Sequence, residues 1–143
     1  MWSVSSNPFL VSVDQLAAVI TFITPEFREH RGCVIRGDRF DSANVDSWLA
    51  STDGDTCAVE QVVNHLHLYD VIDDDYDDAQ LPELETVARH IATAWRDLLR
   101  ARYGRRQFTV TVESEPDEYG PTISFHQADN CSECRRGGQV DPT

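Results

Sequence analysis

The stretch TCAVEQVVNHLHLYDVI, residues 56–72, decides the fold, because it can be read in two periods at once. Val59, Val62, Val63 and Leu66 recur at helical spacing, whereas Leu66 and Leu68 alternate with His65, His67 and Tyr69 as on a half-buried strand. The stretch is rich in β-branched and aromatic residues and has no helix stop at its end, which favours a strand, kinked or bulged near Asn64.

Working outward toward the N-terminus, DRFDSANVDSWLASTDGD (38–55) is turn-rich, with Trp48 and Leu49 as anchors and room for one helical turn. CVIRG is a short apolar segment bounded by glycines, expected as a strand over Cys33–Arg36. Before it, Ser12 stands three residues ahead of Gln15, a capping-box spacing. An apolar face follows at Leu16, Val19, Ile20 and Ile23, so a helix is expected to end near Pro25.

Toward the C-terminus, LPELETVARHIATAWRDLLRARYG (81–104) carries the fullest set of helix signals. Pro82 suits the first turn, Glu83 and Glu85 complement the positive end of the helix dipole, and arginines gather toward Gly104, which stops the helix. Leu84, Val87, Ile91, Trp95 and Leu98 form the expected buried stripe. RQFTVTVES and TISFHQ alternate apolar and polar residues, so 107–113 and 121–127 are expected to form a hairpin. The expected fold is α+β, with one domain over residues 1–128. An antiparallel or mixed sheet of about four strands has its helices largely on one face, and residues 129–143 form a polar C-terminal tail.

The 143 residues suffice for one core, and 41% apolar with 26% charged residues is a globular composition. Twenty-five acids face twelve bases, all arginine, for a formal charge of −13. A field of that sign repels phosphate backbones and anionic lipid, which argues against direct nucleic-acid or membrane binding, and it attracts basic proteins and cations. The apolar run Phe9–Ile23 is interrupted by Asp14 and Gln15 and has no basic leader, so neither a signal peptide nor a membrane span is expected, and the location expected is the cytoplasm.

Three groups of residues carry candidate chemistry. His65 and His67, two apart on a strand, would project on one face and could share a metal such as zinc, with Asp70 or a residue from another strand completing the set. Residues 70–85 hold eight carboxylates and no base, and Asp73, Asp74, Asp75, Tyr76, Asp77 and Asp78 form the densest part. This is not an EF-hand, because Asp78 stands where the loop needs glycine and Leu84 where it needs a bidentate glutamate. A solvated loop accounts for such a run, and so does a docking surface for a basic partner. Cys131 and Cys134, in CSEC, have zinc-knuckle spacing and could also close as a disulfide. A four-ligand site would have to recruit His126 and Cys33, Cys57 or a second chain. Otherwise Cys33 and Cys57 are expected to be buried small hydrophobes.

No phosphate loop, nucleophile elbow, HExxH or dinucleotide fingerprint is present. The leading expectation is a small acidic, non-enzymatic binding protein of inhibitor or immunity type that neutralises a basic protein surface. The alternative is a metal-binding domain or metal-dependent enzyme centred on His65 and His67. Nothing in the sequence sets the oligomeric state.

Overall fold

A computed structural model describes residues 10–73, 75–114, 120–128 and 131. The chain is α+β, with four α-helices and two small antiparallel sheets among the described residues.

Helix α1 (Val13–Ile23) starts at the expected capping box, where Ser12 and Gln15 bond each other's backbone N–H groups. No residue of α1 is fully buried. Leu16, Val19 and Ile20, expected to face the core, are exposed, and only Phe22 and Ile23 pack against it.

Strands β1 (Phe27–His30) and β2 (Cys33–Arg36) form a hairpin in which His30 pairs with Cys33. The two linking residues, Arg31 and Gly32, both have positive φ (50° and 85°), as tight hairpin turns of the primed type require. Helix α2 (Ser42–Ser51), capped by the Asp41 side chain, extends well beyond the single turn expected there.

The deciding stretch is not a strand through its first half. Thr56–Val63 is helix α3, capped by the Asp55 carboxylate on the Ala58 N–H and ended at Asn64. The helical period of Val59, Val62 and Val63 prevails because Asp55 satisfies the first turn and one helix face is needed in the core. The alternating half survives as β3 (Leu66–His67) and a short 3-10 turn over Leu68–Asp70.

Helix α4 (Leu81–Arg102) lies where expected. Its buried line is Ala88, Ile91, Ala92, Trp95 and Leu99, so the stripe is rotated from the expected one and Val87 is left exposed. Strands β4 (Phe108–Glu113) and β5 (Thr122–Gln127) pair antiparallel in the expected hairpin, and β3 joins the other edge of β5 at Thr122 and Ile123. The strand order is β3-β5-β4, separate from β1-β2.

The expected single sheet is therefore interrupted, and α3 is what interrupts it. Between β2 and β5 the backbone groups bond to two α3-borne side chains instead of to each other. Glu60 accepts from the N–H of Val34 (2.9 Å) and of Gln127 (3.1 Å). Asn64 accepts from the N–H of Arg36 (3.0 Å) and donates to the carbonyls of Val34 (2.9 Å) and Phe125 (3.3 Å). Both side chains are fully buried, so these bonds satisfy backbone groups that water does not reach.

The helices are not gathered on one face either. Ile123 and Phe125 of β5 join the core with Trp95 of α4, whereas Ser124 hydrogen-bonds to the Gln61 carbonyl of α3. A second, smaller cluster packs Ile35, Val45, Leu49 and Val59 between β2, α2 and α3. The polar tail expected over 129–143 lies outside the described residues apart from Cys131, which is buried.

Candidate functional site

The acidic segment is ordered by its own carboxylates. Asp73 accepts the N–H of Asp75 (3.2 Å), and Asp77 caps a 3-10 turn over Asp78–Gln80 by accepting from Ala79 (3.1 Å) while Gln80 bonds back to the Asp77 N–H (2.8 Å). Such side-chain-to-backbone bonds favour turns over helix or strand, so a stretch dense in aspartate folds into a fixed surface feature. Asp74 lies outside the described residues.

Tyr76 stacks on Tyr69, with ring centroids 4.8 Å apart and planes 21° from parallel. Tyr69 in turn lies against Gly120, where a Cβ would fall 2.6 Å from the ring. A cleft of about 280 Å³ opens beside this stack, where the acidic segment meets the first turns of α4. Ile72, Leu84 and Val87 give it an apolar floor, while Asp73, Asp75 and Glu83 stand at its lining with Tyr76. Among the described residues no carboxylate from 70 to 85 forms an ion pair.

His65 and His67 lie with their ring centroids 5.7 Å apart and their planes near perpendicular. His67 Nδ1 bonds the Thr122 hydroxyl (2.9 Å), and the His65 carbonyl accepts from Arg36 (3.1 Å). Burial, helped by neighbouring His67, holds the His65 imidazole below its ordinary pKa. Both rings and Asp70 line a groove of about 590 Å³, yet they do not converge as a set of three donors.

Among the described residues the donors that do converge are Cys57, His126 and Cys131. Their ligand atoms all lie within 4.8 Å of one another, and all three residues are buried. Cys57 is on the first turn of α3, His126 is on β5, and Cys131 follows that strand. The two cysteines are disulfide-bonded across a separation of 74 residues, so Cys57 is more than the isolated core hydrophobe expected. Cys131 pairs with Cys57 and not with its neighbour in CSEC, and Cys134 lies outside the described residues. No local spacing in the sequence signals this pairing, though the four cysteines and His126, the nearest further ligand, are its ingredients.

Cys33 is the free cysteine among the described residues. Burial, reinforced by Glu60, pushes its thiol up to about 11, so it is not a thiolate nucleophile at neutral pH. Glu60 belongs to no motif that marks it in the sequence. A lone carboxylate inside the apolar run from Val59 to Val63 was its only signal.

The bases concentrate at the other end of α4. Arg96, Arg100 and Arg106 line a cavity of about 390 Å³, with the Arg106 guanidinium paired to Glu29 (2.7 Å) and Arg96 donating to the Val110 carbonyl (3.1 Å).

The chain matches no protein-family model, no curated protein and no solved structure. No helix among the described residues is long and apolar enough to cross a membrane.

Proposed function

We propose that the protein is a non-enzymatic binding module, of inhibitor or immunity type, that receives a basic side chain of a partner protein in the cleft at the start of α4. The observation that carries this reading is the cleft's chemistry. An apolar floor of Ile72, Leu84 and Val87 is edged by Asp73, Asp75 and Glu83, which no base among the described residues pairs with.

An arginine or lysine combines a hydrocarbon stem with a charged head, so its stem matches the floor and its head matches the rim. Tyr76, half-exposed and held by Tyr69, offers an aromatic face to the same cation. A formal charge of −13 would steer a basic protein toward this surface before contact. Asp74, Asp77 and Asp78 add to that field, with Asp77 also holding the turn.

The test uses arginine- and lysine-centred peptides, with glutamate-centred peptides as controls, titrated against the protein across a salt series. Basic peptides should bind, their affinity should fall with salt, and Tyr76→Ala should weaken them. Equal affinity for basic and acidic peptides, or no dependence on salt, would remove the basis for this function.

A further inference from the structure

Sulfur and imidazole meet where the chain returns to the sheet after β5. Cys57 is 2% exposed, Cys131 5% and His126 9%. Gln61, one turn after Cys57 on α3, donates its amide to Cys57 Sγ (3.1 Å) and reaches Cys131 Sγ at 3.7 Å. The His126 imidazole makes no hydrogen bond to any described residue, although it is nearly buried. His126 also lines a cavity of about 160 Å³ with Gln61, His65 and Ser124, so its ring borders open space.

We propose that in the reduced protein Cys57, His126 and Cys131 are three ligands of a tetrahedral zinc site whose fourth position is left to a water molecule. The disulfide accounts for two of these three groups and leaves His126 beside it without a hydrogen-bond partner among the described residues. A metal ion engages all of them. Tetrahedral zinc with Zn–S near 2.3 Å and Zn–N near 2.1 Å places its ligand atoms roughly 3.5–3.8 Å apart, inside the 4.8 Å within which these three donors lie.

Thiolate and imidazole donors select zinc over magnesium or calcium, which the carboxylates elsewhere on the surface would prefer. Two thiolates balance the ion's charge, so a buried position is tolerable, and the Gln61 N–H supplies the bond to sulfur that orients such ligands.

The disulfide and the metal are alternative states of one site. A dithiol supplies the two electrons and two protons that open the Cys57–Cys131 bond and is itself oxidised to a disulfide. On metal binding the ligand thiols release their protons to solvent.

The experiment takes the full chain, reduced with dithiothreitol and desalted without air, and titrates it with Co²⁺ and then Zn²⁺. One equivalent of Co²⁺ should give sulfur-to-cobalt charge-transfer absorption with tetrahedral visible bands, and Zn²⁺ should erase both. Cys57→Ser and Cys131→Ser should lose most of the charge-transfer intensity, and His126→Ala should weaken binding by at least about tenfold. Because a cysteine variant can misfold, thiol alkylation of the wild type gives a second reading: Zn²⁺ should protect Cys57 and Cys131 from iodoacetamide. Absence of both charge transfer and protection would overturn the proposal. So would Co²⁺ binding that survives Cys57→Ser and disappears in His65→Ala/His67→Ala.

Discussion

Glu60 on α3 takes both the backbone N–H and the side-chain amide of Gln127 on β5, at 3.1 and 2.9 Å, with its carboxylate fully enclosed. Burial holds this carboxyl above its ordinary pKa of 4.5, opposed by the bonds from Gln127 and Val34 and by the charge of Arg106. The folded chain therefore keeps a proton that the unfolded chain has already released. Stability from this group is full below about pH 4.5 and is lost as pH rises through the folded value. Glu60→Gln removes the titration while keeping part of the bonding. Urea unfolding should show the wild type losing ground to Glu60→Gln as pH rises from 4.5 toward neutrality. Glu60→Ala, which strands several buried N–H donors, should cost about 3 kcal/mol or more at any pH in that range.

Trp95 ties three elements together. Its ring is fully buried, meets Phe125 edge to face at 5.8 Å, lies under the Arg36 guanidinium at 5.3 Å, and donates its indole N–H to the Phe22 carbonyl of α1 at 2.8 Å. Trp95→Ala should cost about 3–5 kcal/mol in chemical denaturation. Trp95→Phe should be milder, yet amide exchange in α1 should accelerate more than in β5, because α1 loses a bond to the core that its exposed face does not replace.

Gly120 has φ of +68°, and any Cβ there would strike the Tyr69 ring. Gly120→Ala should lower stability by about 1–3 kcal/mol, measurable as a fall in melting temperature. The displaced Tyr69 is the stacking partner of Tyr76, so this substitution should also weaken binding of basic peptides more than its effect on stability accounts for.

Converting Asp73, Asp74, Asp75, Asp77 and Asp78 to asparagine should leave the fold intact, since asparagine caps turns as well as aspartate does and exposed charges add little stability. Association with a basic partner should slow and lose much of its salt dependence, because exposed charges are screened beyond about 8–10 Å near physiological ionic strength. Stopped-flow association across a salt series checks this. Identical rates and slopes for the two proteins would reduce the run to a solvated surface.

Helix α4 and the β4–β5 hairpin were legible because each carries one unambiguous period with its own stop signal. The β1–β2 hairpin was not, since its turn uses Arg31, a residue that gives no hint of positive φ. Residues 56–63 misled because β-branched valines mimic a strand while the deciding signal, the Asp55 cap, lies just outside the apolar window. The rotation of α4 that exposes Val87 depends on what β4 and β5 present to it. At the level of the site, the acidic run could be seen as a string of charges, but its apolar floor draws on Leu84 and Val87 from the next helix. Cys57 and Cys131 are 74 residues apart, so only the folded chain brings them together.

The wedge made by Glu60 and Asn64 bears on how this chain keeps to itself. The facing edges of β2 and β5 carry the unpaired donors and acceptors that recruit a foreign strand and start cross-β growth. Here those groups are occupied by side chains of a helix seated between them, a plug that no passing strand can extend. Losing Asn64 would reopen the edge even with the cores intact. Asn64→Ala should therefore show its largest effect as thioflavin-positive assembly on prolonged incubation, ahead of any comparable loss in the melting transition.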